Sequence, residues 1–262
     1  MGVMSQERLG IGMKVGLTMS ENTVEIMVFT WGRRTAMNEA QLELSVMELF
    51  QNEGYEYIAG ESILREASDV LLKDDLRMYL MTKYADDGIT ASEVEPIILG
   101  LIRSSYDPLY DANKEVLTKI ISGFVFRRED KTKKDLFIRL IDFDKVDANI
   151  FKVVNQVEIQ GKSELRIPDA VVYINGLPIV VIEFKSATGE KATIHNAYEQ
   201  LTIRYTRDIP DLMRWMRFFI NLILPHSLKE HRLNSWNVLI MRSNMCKSRM
   251  IWKSVLWLAL RG

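Results

Sequence analysis

The segment from Ala170 to Ile182 constrains this chain more than any other part. Two nearly continuous β-branched runs, Ala170 to Ile174 and Ile179 to Ile182, flank Asn175-Gly176. Asn-Gly tolerates the positive φ that a tight hairpin turn needs, and it is the strongest short-range signal for one. Strands this apolar predict a hairpin buried on both faces. It belongs in the interior of a layered fold.

Such a hairpin ends unexpectedly in Glu183-Phe184-Lys185, because unpaired charge is costly in a core. Strand periodicity puts Glu183 and Lys185 on one face and turns Phe184 to the other. Folding at Asn175-Gly176 brings Asp169 towards both. Two carboxylates and an ammonium then share a small volume. Two hard oxygen ligands suit Mg²⁺, which usually keeps water in its remaining positions. A metal so held acidifies bound water and neutralises phosphate charge, and a lysine beside it orients the attacking water. Hydrolysis of a phosphodiester requires this ligand set. Asp169 alone would read as a turn or cap residue after Pro168, and Glu183-x-Lys185 alone as an ion pair at a strand end.

The spacing Pro168-Asp169, thirteen residues, Glu183-x-Lys185 resembles the PD-(D/E)xK nuclease signature. The surrounding text is similar to one branch of it, the N-terminal endonuclease domain of the R (restriction) subunit of type I restriction enzymes. The matching phrases are Ile141 to Asp144, Asn149 to Gln156, the hairpin itself, Asn196 to Gln200, and Thr206 to Leu212, with Gln41 to Glu43 and Gly54 to Tyr57 upstream. The resemblance implies an α/β fold, a mixed β-sheet flanked by helices with a helical N-terminal part. It implies Asp169 and Glu183 as metal ligands for Mg²⁺ and Lys185 as the catalytic lysine. It also implies Gln200 as a residue that orders the site and contacts DNA, and Glu43 as a helix glutamate approaching the metal. The family's tyrosine lies four residues after that glutamine, whereas Tyr205 lies five after. Arg166 stands where the family shows two basic residues before proline, with Ile167 in the second place. Implied partners are double-stranded DNA and the methylation and specificity subunits of the restriction complex. The competing reading is a truncated, non-catalytic remnant that only docks to those subunits or to DNA.

Composition divides the chain. Residues 1–36 match nothing in the family and are expected to form a poorly ordered extension, with Met37 a candidate true start. Residues 37–212 are the expected nuclease domain. Between Met213 and Gly262 stand nine Lys or Arg against Glu230 alone, while the whole chain has a net charge of −1. The body is therefore acidic, which is unusual for a free-standing DNA binder. The basic tail holds four of the five Trp, and a frameshifted or truncated end is preferred over a basic, aromatic nucleic-acid patch. No G-x-x-x-x-G-K-[ST] loop occurs, so the sequence gives no basis for ATP binding, although full-length R subunits use ATP in a translocating motor. Cys246 is the only cysteine, which suits a reducing cytoplasm. No apolar run is long enough for a membrane span.

Periodicity predicts helices over 39–52, 63–84, 97–102 and 109–121, the third opened by a Ser92–Glu95 capping box. Strands are expected over 124–127, 136–143 and 151–159, and a helix over 192–205.

Overall fold

A computed structural model of the protein describes the backbone of residues 12–19, 23–31, 39–103, 108–162, 164–186, 200–216, 218–224 and 234–242. Side chains are described for 40–41, 43–103, 108–162, 164–184 and 203–216.

The predicted hairpin lies within an eight-stranded mixed sheet. Its strands, β9 (Ala170–Ile174) and β10 (Leu177–Ser186), pair antiparallel, with Val180 opposite Val172 and Ile182 opposite Ala170. Every residue of β9, and β10 as far as Phe184, is buried. Asn175 and Gly176 adopt φ of 52° and 77°, the left-handed pair of a primed turn. The turn is itself enclosed. A Cβ on Gly176 would meet the Leu72 carbonyl at 2.2 Å, and that close approach lets the Leu72 N–H donate to the Gly176 carbonyl at 2.9 Å.

The sheet grows from the hairpin in both directions. On one side β6 (Phe151–Asn155) runs antiparallel to β9, and β3 (Glu56–Ala59) runs parallel to β6. On the other, β11 (Phe218–Leu224) runs parallel to β10, followed by β12 (Asn234–Arg242), β2 (Thr23–Trp31) and β1 (Gly12–Met19). Residues before Ala36 and beyond Met213, which the sequence set apart, thus contribute strands to the sheet. Two-stranded ribbons pair β4 (Phe124–Phe126) with β5 (Leu136–Ile138) and β7 (Ile159–Gln160) with β8 (Leu165–Arg166).

Helix α1 (Glu39–Asn52) packs against β3, β6 and β10 through Met47, with Val46 and Phe50 beside it, while Leu49 faces outward. Gly54, at φ 90°, ends it: the Tyr55 N–H reaches back to the Phe50 carbonyl at 2.9 Å. Helix α3 (Ala91–Arg103) buries Val94, Ile97, Ile98 and Leu101, a regular apolar stripe. Its capping box lies two residues earlier than expected. Glu93 accepts from the Thr90 amide at 3.0 Å and the Thr90 hydroxyl at 3.1 Å, and Glu95 instead pairs with Arg77. Helix α4 (Leu109–Ser122) stops at Gly123, φ 68°, as its sequence predicts.

Three expected elements are shorter than predicted. The helix placed over 63–84 begins only at Lys73 (α2, Lys73–Lys83). Upstream, the Arg65 guanidinium takes the carbonyls of Glu66 and Ala67 at 3.0 and 3.4 Å, together with those of Asp69 and Glu158, and holds an irregular loop. The strand placed over 136–143 ends at Ile138, because Asp142 Oδ1 accepts from the amides of Asp144 and Lys145 and turns the chain. The strand placed over 151–159 breaks at Gln156, whose φ is 47°. Of the helix expected over 192–205, residues 192–199 lie outside the described residues. Residues Gln200–Tyr205 form a π-helical turn that leads into short helical turns at Thr206–Asp208 and Pro210–Met213.

Candidate active site

Pro168 ends the run from β8, and Asp169 enters the sheet where the hairpin begins to splay. Pairing of β9 with β10 ends at Ala170 and Ile182. The next position outward sets Asp169 opposite Glu183, and directly opposed residues share a face of the sheet. Asp169 replaces the lost ladder bond with its side chain: Oδ2 accepts the Phe184 N–H at 2.7 Å. Its carbonyl accepts the Gln156 N–H at 2.9 Å. The residue is thus tied on both sides, its carboxylate to β10 and its backbone to the end of β6.

Glu183 is 1% exposed. The hydroxyl of Tyr205, 3% exposed, donates to Glu183 Oε1 at 2.6 Å. A buried carboxylate needs such donors, since charge without hydrogen bonds is expensive in a core. Tyr205 closes the π-helical turn that starts at Gln200. A π turn hydrogen-bonds five residues back rather than four. It therefore absorbs the one-residue excess in the Gln200–Tyr205 spacing, and Tyr205 still reaches the strand.

Lys185 lies in β10 two residues beyond Glu183, level with Ile223 of β11. Its side chain and that of Gln200 lie outside the described residues. Glu43, on α1, is close to the site through intermediaries. Its carboxylate accepts from Asn155 Nδ2 at 2.7 Å and from Gln156 Nε2 at 3.2 Å, and these two residues adjoin Ala170 and Asp169 across the sheet.

Arg166 is committed to a residue that sequence reasoning missed. Its Nε and Nη2 lie 2.8 and 2.6 Å from Oδ2 of Asp208, which is 3% exposed. Arg207 Nε donates to the other oxygen of Asp208 at 2.6 Å. Hydrogen bonding by Arg207, with Arg166 adding to it against the cost of burial, lowers the Asp208 carboxyl to about 2. Arg166, Arg204 and Arg207 line an open depression with Leu165, Ile167 and Tyr205.

Also missed was the buried polar network beneath the turn. Asn175 Nδ2 donates to the Leu140 carbonyl at 2.9 Å and to Asn149 Oδ1 at 2.8 Å, while its Oδ1 accepts the Ile150 N–H at 2.7 Å. Asn149 also accepts the Asp142 N–H at 2.8 Å. An Asn before Gly signals a turn; nothing in its spacing announces these partners.

The donor set at the hairpin fits a hard divalent cation. Asp169 and Glu183 are two carboxylates at opposed positions, and each is oriented through one oxygen by a hydrogen bond from a neighbouring strand or helix. Among the described residues no group of three or more His, Cys, Asp or Glu could hold a metal, so this pair would leave positions to water or phosphate. No helix of the described residues is long and apolar enough to cross a membrane.

A buried antiparallel hairpin inside a mixed sheet, with Asp169, Glu183 and Lys185 at its open end and helices packed on it, defines an α/β fold of the PD-(D/E)xK nuclease type. The chain belongs to the family described as the type I restriction enzyme R protein N terminus, whose profile matches residues 36–222. It is 29% identical over 185 residues to the putative type I restriction enzyme MjaVIIIP endonuclease subunit of Methanocaldococcus jannaschii, covering 70% of this chain and 17% of that one. It is 27% identical over 186 residues to the type I restriction enzyme HindI endonuclease subunit of Haemophilus influenzae, covering 67% and 17%. A third relative, the type I restriction enzyme SsaAORF53P endonuclease subunit of Staphylococcus saprophyticus, is 24% identical over 196 residues, covering 70% and 18%. The chain spans about a sixth of the length of these relatives.

Proposed function

We propose that this chain carries the DNA-cleaving site of a type I restriction system and hydrolyses a phosphodiester bond of double-stranded DNA with Mg²⁺. The observation that carries this reading is the pair of opposed carboxylates, with Asp169 bonded to the Phe184 amide and Glu183 to the Tyr205 hydroxyl. Asp169 and Glu183 would hold the cation, which when bound supplies charge neutralisation at the phosphate and a more acidic water. Lys185, two residues along the strand, would orient the attacking water, and Gln200 would contact DNA. Tyr205 keeps Glu183 aimed, because its hydroxyl donates to Glu183 Oε1. Glu43 and Arg166 act at one remove, through Asn155 and Gln156 and through Asp208. Methylation and specificity subunits would supply sequence recognition.

The test is calorimetric titration of Mn²⁺ or Mg²⁺ into the purified protein beside Glu183→Ala, followed by cleavage assays with partner subunits on Asp169→Ala and Lys185→Ala. Binding heat that disappears in Glu183→Ala, with cleavage lost in the other two, is the expected result. Full cleavage by either variant overturns the assignment. Absence of metal binding by the folded wild-type protein favours a docking module that does not cut.

A further inference from the structure

The depression beside the site has a chemistry of its own. Residues 165–167 form one wall, immediately before Pro168 and Asp169, and Arg204, Tyr205 and Arg207 form the other. Tyr205 joins the two places: it is among the lining residues while its hydroxyl holds Glu183. Arg166 and Arg207 are partly neutralised by Asp208. Arg204 is not. It is exposed and has neither an ion pair nor a side-chain hydrogen bond among the described residues. Leaving a guanidinium uncommitted at the rim of a basic hollow favours an anion, and its planar fork matches phosphate oxygens. A lining of guanidiniums and apolar side chains suits phosphate and sugar contacts, which position a strand without specifying its sequence.

We propose that this depression binds a backbone phosphodiester of the substrate strand next to the one that is cleaved, with Arg204 as its principal anchor and Arg207 as its second. The proposal rests on the nuclease reading of the Asp169–Glu183 hairpin. Its chain position fits: residues 165–167 lead directly into Pro168 and Asp169, and Tyr205, next to Arg204, holds Glu183. The aliphatic surfaces of Leu165 and Ile167, 41% and 43% exposed, would then meet the sugar.

The experiment is fluorescence anisotropy of a labelled DNA duplex with the full chain, without divalent metal so that nothing is cut, over a series of salt concentrations. Arg204→Ala should weaken binding by about tenfold irrespective of sequence and lower the slope of log K against log salt by about one. Arg204→Glu should weaken it further. Mn²⁺ binding heat should be unchanged in both, which separates this result from failure of the metal site. Wild-type affinity and slope in both variants overturn the proposal, as does the absence of salt-dependent binding by the wild type. Displacement of the duplex by inorganic phosphate at matched ionic strength would also overturn it, in favour of a bare anion site. Loss of Mn²⁺ heat from the wild-type protein would instead sink the nuclease reading on which the proposal stands.

Discussion

Glu183 and Asp208 are carboxylates of nearly equal burial with different employment. Glu183 faces the hairpin's open end and accepts from the Tyr205 hydroxyl, which orients it. Asp208 is bracketed by Arg166 and Arg207, an arrangement that serves to fasten β8 to the helical turn. The consequence is a pH dependence of definite sign. The Asp208 carboxyl sits at about 2 in the folded chain against an ordinary 3.8, so ionised Asp208 favours folding above about 4. That contribution is lost as pH falls through the folded value. Asp208→Asn is therefore expected to flatten the decline in stability between about pH 4 and about pH 2, followed by urea denaturation at each pH. An unchanged acid limb would show that the two arginines do not hold the carboxylate ionised.

At the scale of elements, the hairpin shows how a turn can be a structural anchor. Asn175 was legible as a turn residue because its φ is positive and Gly176 follows it. Its side chain, 0% exposed, also satisfies a carbonyl, an amide and Asn149 from segments 25 to 35 residues away. Asn175→Ala would strand these partners in the core, each at about 1–3 kcal/mol. Asn175→Gly would keep the turn but lose the same bonds, so both should lower the denaturation midpoint sharply. If the turn alone mattered, Gly would rescue what Ala destroys. The π turn at Gln200–Tyr205 makes the complementary point: an extra residue in a helix is accommodated locally, and the distant contact survives.

At the scale of the whole molecule, the boundary that composition draws at Met213 falls inside the packed core. Met213, Trp215 and Met216 are buried, Trp215 and Met216 at 0% exposure, and Asn113 Nδ2 donates to the carbonyls of Met213, Arg214 and Met216 at 3.3, 3.0 and 3.2 Å. The family match likewise runs on to residue 222. A chain cut after Leu212 should unfold at markedly lower temperature than the full chain, since loss of one buried Trp alone costs about 3–5 kcal/mol. Equal melting temperatures by calorimetry would refute this. Aromatic richness and positive charge drew the sequence boundary at Met213, but the first four residues beyond it are core, and composition averaged over fifty residues hides them.

The sequence by itself determined the hairpin, its turn, the helices whose apolar residues recur at one regular period, and the order Asp169, Glu183, Lys185. These follow from local backbone preference and from side-chain alternation, which act between near neighbours. Only the tertiary structure decided what those residues touch: Tyr205 on Glu183, the Phe184 amide on Asp169, Asp208 on Arg166, and Glu43 on Asn155 and Gln156. Each is a hydrogen bond or ion pair between segments distant along the chain. Its partner is set by strand register and by the packing of helices on the sheet, and neither leaves a period to read.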